Sequence, residues 1–495
     1  MGKLFGYALL LILLVGSINV AVLVWLGATD RPSEAFESLT APPPDFAAGT
    51  ADNGYFTLIG FAAGPNADPA KTGYDIWREA ENARGHYYFD YAQEGRTELQ
   101  VQPDLLQMIQ AWKSDDPITK LSQLEETLQT FQTRYKLLLE RYTQWLSMPF
   151  DDEGYGHAGT PRLAEVFLAH RVYVTEGFKQ GLVDGIDRLA TDLATWRVVL
   201  AHAKTPSVKL LAAAAVGDDA RAISALLSRQ PDDAMAKQLA DLAQPLTVEE
   251  RSIRWLLQHE FVTGLSRYKS VPLAQGPAPK QRSDEDARWL AGLTSLGDDV
   301  LDRIELPQPP NPILRAMVKK QRTMNIYAAY DEAVLKASGV APIKLPTLRE
   351  IGKQSSRSFV DPLVNPIENV FFSAPEPAWT PVLGYILEAD ARLRLAGLQV
   401  ILRRAPKQQP MAVIIGQAGP DYYDPFTGIP MVWNASQGVL YSVGKDGRDD
   451  GGESSFDVSI KLEELPPLAP VKALAKPGKK VKPGAKPAPQ PVKKA

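Results

Sequence analysis

From residue 117 to 145 apolar side chains recur in steps of three and four: Leu121, Leu124, Leu128, Phe131, Tyr135, Leu138, Tyr142 and Trp145. That spacing is the α-helical period and draws one apolar stripe along one long amphipathic helix. The same period runs through residues 160–203. Thr160-Pro161 places proline at the first helical position there, and Gly177 and Gly181 are points of interruption. It continues through residues 205–230 and 247–265, where Thr247 and Glu250 have capping-box spacing. Proline-rich breaks cover residues 271–286 and 305–313. Two more helices are predicted, over 313–337 and 381–404, with a break through residues 339–347 between them.

Three stretches depart from this pattern. Residues 4–28 carry no charge, and about 20 such residues span a bilayer core. A signal peptide has a shorter apolar run, and Ala28 follows a Leu-Gly pair that suits cleavage poorly. The expectation is a retained transmembrane helix. Lys3 lies before it, and Asp30, Arg31, Glu34 and Glu37 follow it. The positive-inside rule then puts the N-terminus in the cytoplasm and the body in the periplasm, as a single-pass inner-membrane protein. After Arg404 the period shortens. Residues 411–416, 430–443 and 457–462 read as short strands, with a turn at 434–438. Beyond Glu464 there is no acid and the run is mostly proline, alanine and lysine, a basic tail with too little apolar surface to fold. Such a tail is suited to anionic surfaces such as peptidoglycan or lipid, or equally to service as a simple solubilising spacer.

The predicted fold class is therefore mainly α: a transmembrane helix, a large helical body and a small C-terminal α+β module. The expected segments are an anchor (1–28), a linker with a short extended segment (29–72), the helical body (73–380), a helix plus β module (381–462) and the tail (463–495). Within the second segment, "FTLIGF" is expected as a buried strand or turn feeding a helix at Asp75.

Composition narrows the chemistry. A chain of 495 residues exceeds one ordinary core. A net charge of −4 gives no nucleic-acid signature. No cysteine is present, which excludes disulfides and thiolate chemistry. The histidines 86, 157, 170, 202 and 259 show no zinc-ligand spacing and read as surface or packed helix residues. Asp151, Asp152, Glu153 and His157 gather in one loop. They read as a solvated connection between helices, with a metal site or an acid/base pair as the alternative. No nucleophile elbow, phosphate loop or dinucleotide fingerprint occurs.

The most pointed chemistry lies at Asp446, Asp449, Asp450 and Asp457, interleaved with glycines. Residues 389–460 run from an Arg/Leu-rich helix through "DPFTGIP" to "LYSVGKDGRDDGGESSFDVSI". This order resembles the globular part of type II secretion pseudopilins. Asp424, Pro425, Gly428 and Pro430 match the family's first turn. Tyr441, Ser442, Gly444, Asp446, Gly447, Gly451, Gly452 and Asp457 match its second loop. In major pseudopilins that loop binds calcium. The resemblance implies Asp446 and Asp457 as first ligands, Asp449 and Asp450 behind them, and the carbonyls of Leu440 and Ser442 as helpers. Calcium takes six to eight oxygens, and a glycine-rich loop lets the chain wrap closely. An EF-hand is excluded because Arg448 occupies its third position. A plain Gly/Asp hairpin with solvated acids stays open beside the calcium reading. The remainder, with "NGYFTLIGF" and "NPIENVFF", resembles uncharacterised proteobacterial membrane-anchored proteins, a likeness that assigns no function.

The functional expectation is a non-enzymatic envelope scaffold with a calcium-stabilised C-terminal module. Its expected partners are the membrane and other envelope proteins, with no nucleic acid. The alternatives are a membrane-anchored envelope hydrolase and an accessory component of a secretion or pilus system.

Overall fold

Caps and period together set most helix boundaries. Thr247 accepts from Glu250 N–H while the Glu250 side chain accepts from Thr247 N–H, so the predicted capping box is present in full. The computed structural model describes residues 31–46, 52–82, 111–157 (bar 113, 115 and 135), 163–270 (bar 230–231), 320–355 and 379–462 (bar 407), with Leu14 and Ser17. The helices are α1 (Glu34–Thr40), α2 (Gly54–Ile59), α3 (Pro69–Asn82), α4 (Pro117–Ser122), α5 (Glu125–Arg134), α6 (Lys136–Trp145), α7 (Ala164–Gln180), α8 (Leu182–His202), α9 (Pro206–Ser228) and α10 (Asp233–Leu242). They continue as α11 (Val248–Arg251), α12 (Arg254–Ser270), α13 (Lys320–Ser338), α14 (Leu345–Ser355), α15 (Trp379–Arg404) and α16 (Met411–Gln417). Three strands follow, β1 (Val432–Asn434), β2 (Val439–Ser442) and β3 (Val458–Lys461). The protein is mainly helical, as the period implies.

At the centre α8 packs on both α7 and α9, and α9 packs along α15. Both α9 and α15 are buried on almost every side, as expected of helices that are apolar or small around most of their circumference. The α7–α8 break falls at Gly181 alone. Its φ of 153° lies in the region open to glycine, and Gly177 stays helical.

The strands form an antiparallel sheet in the order β1-β2-β3, with Leu440 opposite Trp433 on one side and Ile460 on the other. β2 and β3 pack on α15. Leu440, Val458 and Leu462 join the same hydrophobic core that begins at Tyr55. The β module therefore shares the core of the helical body.

Four expectations change. The stripe over 117–145 is divided among α4, α5 and α6, although Leu121, Leu128, Leu138, Tyr142 and Trp145 are all buried as its period requires. The predicted strand over 411–416 is α16, whose adjacent Ile414 and Ile415 are buried while it packs on α15. The expected extended segment around "FTLIGF" is α2, capped by Asn53 and buried throughout. Part of the expected linker is also folded. Ser33 caps α1, and Ala35 and Leu39 pack with Phe261, Leu265, Met324 and Ala328 in a small second core.

Among the described residues no helix is long and apolar enough to cross a membrane. The expected anchor lies outside them except for Leu14 and Ser17, both helical and exposed. The Thr160-Pro161 cap, the breaks at 271–286 and 305–313 and the tail at 463–495 also lie outside.

Candidate functional sites

The Asp-Pro turn fastens the C-terminal module. Asp424 is buried; its Oδ1 accepts from Phe426 N–H at 2.7 Å and its Oδ2 from Val443 N–H at 2.9 Å. This joins the turn to the exit of β2. The acids of the following loop have unequal surroundings. Asp446 is exposed and closes its own turn, accepting from Arg448 N–H at 3.0 Å. Asp449 accepts from Tyr441 OH at 2.6 Å and Gly451 N–H at 3.0 Å, bonds that hold its carboxyl below the usual range. Asp457 is buried, and its Oδ2 accepts from Gly452 N–H at 2.7 Å. Its Oδ1 is enclosed without a hydrogen-bond partner. Burial raises its pKa, and the carboxylates of Asp450 and Asp449 add to the rise. The loop thus leaves Asp446 to its turn, and its four acids do not bring three carboxylate oxygens within 4.8 Å of one another. Leu440 sits in the sheet with its side chain in the core, and Ser442 Oγ accepts from Gly444 N–H at 3.4 Å.

The acidic loop before α7 is buried, against the expectation of a solvated connection. Asp152 Oδ2 accepts from Lys204 N–H at 2.9 Å, Thr205 N–H at 2.8 Å and Thr205 Oγ1–H at 2.7 Å. Its Oδ1 accepts from Gly154 N–H at 3.0 Å. Asp152 thereby satisfies backbone donors just before α9, where Thr205 makes no side-chain cap bond of its own. Asp151 Oδ1 pairs with Lys204 Nζ at 2.6 Å and its Oδ2 accepts from Phe46 N–H at 2.9 Å. Burial nonetheless raises the Asp151 pKa. His157 is buried with its ring 5.6 Å from that of Trp77. Asp45, Asp151 and Glu153 place carboxylate oxygens within 4.8 Å of one another, but the Lys204 ammonium already supplies a cation there. A cleft of about 490 Å³ lies elsewhere, by α4, α7, α9 and α10, and takes in Phe178 and Leu226. Its Arg229 is paired with Asp116 at 2.7 Å and its Asp232 caps α10. Among the described residues no acid/base pair is left open in it.

A third cluster escaped sequence reasoning. His170 on α7, Asp192 on α8 and Asp219 on α9 are fully buried where the three helices meet. Asp192 accepts from His170 Nδ1–H at 2.7 Å through Oδ2 and from Tyr142 OH at 2.6 Å through Oδ1. Tyr142 OH in turn accepts from Trp196 Nε1–H at 2.8 Å. Burial, then the Asp192 charge, pushes the Tyr142 pKa well up. Asp218 takes Arg171 Nε–H at 2.8 Å on one oxygen and Arg221 Nη1–H at 2.5 Å on the other. Burial raises the Asp219 pKa well above its ordinary value, and the charges of Asp192 and Asp218 and a hydrogen bond to Asp192 add to the rise. The sequence carried a signal. Each polar group interrupts an apolar face at helical spacing: Val166 and His170, Leu189 and Asp192, Asp219 and Ile223.

Lys209, in the first turn of α9, gives a pH prediction. It is buried and donates to Leu200 O at 2.6 Å. Burial lowers its pKa from 10.5 to about 7, against a smaller upward pull from Glu250. Between these two values the unfolded chain binds a proton that the folded chain does not, so stability rises with pH across that window. Lys209→Met should abolish the rise. Thermal melts from pH 7 to about 10 should show wild type gaining on the variant; parallel curves would refute it.

Comparison with protein families, curated proteins and solved structures finds no match for this chain.

Proposed function

We propose that the protein is a non-enzymatic scaffold of the cell envelope, tethered to the inner membrane by residues 4–28, with a pseudopilin-like C-terminal module firmed by calcium. The observation that carries the reading is continuity. One core runs from Tyr55 through α9 and α15 into β2 and β3, so the module's loop is held rigidly on a large body. The acids offered for acid/base chemistry, Asp151 and Asp152, are committed to the loop's own packing, which disfavours the hydrolase reading. The exposed Ile429 and Phe456, 57% and 55% accessible, lie on the module and suit contact with another envelope protein.

The test is photo-crosslinking in membranes from position 456, with exposed Val198 on α8 as the control position. Discrete adducts with envelope proteins from position 456 alone support the scaffold. Adducts with secretion or pilus components identify it as part of such a machine. No adduct from either position sinks the reading.

Calcium is supported by the enclosed, unpartnered Asp457 Oδ1 in the glycine-rich loop. Chelation should lower the melting temperature of the full chain by several degrees. Asp450→Asn and Asp457→Ala should lose that response, whereas Asp446→Ala, which changes only an exposed turn, should keep it. An identical melt with and without chelator rejects calcium.

A further inference from the structure

The junction of α7, α8 and α9 holds more ligand capacity than its hydrogen bonds use. Neither His170 Nε2 nor either oxygen of Asp219 finds a partner among the N–H and hydroxyl donors of the described residues, and Asp219 has only the Asp192 carboxyl to share a proton with. Buried polar atoms are nearly always bonded, so three such atoms on neighbouring side chains call for an explanation.

We propose that His170 and Asp219, with Asp192 beside them, form a buried site for a first-row divalent transition ion of the zinc, iron(II) or manganese(II) class. One ligand-capable atom from each of the three lies within 4.8 Å of the other two. An ion at their centre needs less than about 1 Å of closure to reach the ~2.0–2.2 Å bonds of such ions to imidazole nitrogen and carboxylate oxygen. The surrounding contacts suit a metal-bound imidazole. A ligating histidine usually donates its second ring N–H to a carboxylate, which fixes its tautomer and orientation. His170 faces Asp192 through Nδ1, the ligating nitrogen, and its Nε2, 4.0 Å from Asp218 Oδ2, is left to carry the second N–H beside that carboxylate. Asp192 is itself held by Tyr142, and Tyr142 by Trp196.

Charge supports the same assignment. Three carboxylates, Asp192, Asp218 and Asp219, meet here. The facing cations Arg171 and Arg221 both sit on Asp218. Neither Asp192 nor Asp219 has a lysine or arginine partner among the described residues. Helices α7, α8 and α9 contribute one ligand each, the way helical bundles build metal sites from facing side chains. An imidazole in the set selects against calcium and magnesium, which take oxygen ligands alone. The site is closed, so the ion enters as the chain folds. This site is independent of the C-terminal loop and of the scaffold reading.

The experiment uses the full chain in detergent, purified without a metal-affinity tag. Elemental analysis should find a near-stoichiometric first-row ion that survives dialysis against chelator. Denaturation with chelator, then refolding with cobalt(II), should give visible d–d absorption and a melt several degrees above the metal-free refolded chain. Asp219→Asn and His170→Gln should each reduce metal content at least tenfold. Asp457→Ala, in the C-terminal loop, should keep the metal. If the ligand variants do not fold, the wild-type refolding comparison decides alone. A native chain with only trace metal, whose refolding is indifferent to cobalt, zinc, iron and manganese, overturns the proposal and leaves a proton-sharing carboxyl pair.

Discussion

Gly73→Ala should prevent α3 from seating on α2 and cost the fold more than ~3 kcal/mol, the scale of forcing bulk into a close-packed contact. A Cβ at residue 73 would lie 1.8 Å from Phe56 O and 2.9 Å from Gly60 N. Backbone stands on the far side, so no side chain can rotate away. The contact is reciprocal, since a Cβ at Gly60 would lie 2.0 Å from Pro69 O. Behind it Phe56 meets the rings of Tyr74 and Trp77 at 5.2 and 5.6 Å, so separating the helices opens an aromatic cluster. The sign of the effect makes the test sharp. In an exposed helix interior, alanine for glycine stabilises by about 1 kcal/mol. A urea midpoint that is unchanged or raised in Gly73→Ala would show that the two backbones do not meet.

Asp152→Ala should be nearly as severe, at roughly 3–5 kcal/mol, because it strands donors that a charged acceptor had satisfied. Three donors converge on one carboxylate oxygen from Lys204 and Thr205, and Gly154 N–H meets the other. Asp152 is fully buried, so water cannot replace it. Asp152→Asn keeps one acceptor oxygen and should lose less. Equilibrium denaturation of the three chains should rank wild type, asparagine and alanine in that order. An alanine variant within about 0.5 kcal/mol of wild type, the range of ordinary surface changes, would contradict the bonding described.

Much of the helical architecture was legible beforehand. The α15 boundaries fall within two residues of those read from periodicity, the Thr247 box forms as spaced, and the three strands sit where period and turn residues put them. The misreadings share a cause. Residues 54–59 and 411–416 are short apolar runs whose period does not separate strand from helix. What decided them was the neighbour: the Gly60–Gly73 contact for α2, and the side of α15 for α16. In the candidate sites, residue types were legible and roles were not. Asp446 and Asp457 look interchangeable as letters, yet one closes an exposed turn and the other is buried beside Gly452.

By itself the sequence determined the helical period, the caps, the short strands at the C-terminal end and the uncharged stretch over 4–28, because these depend on residues within a few positions of each other. Only the tertiary structure decided the fate of the acids. Asp152 meets Thr205 from 53 positions away, and Asp192 meets Tyr142 from 50. His170, Asp192 and Asp219 come together because three separate helices cross at one buried point. A carboxylate's character is set by which donors surround it and how much water is removed, and neither is a local property of the chain.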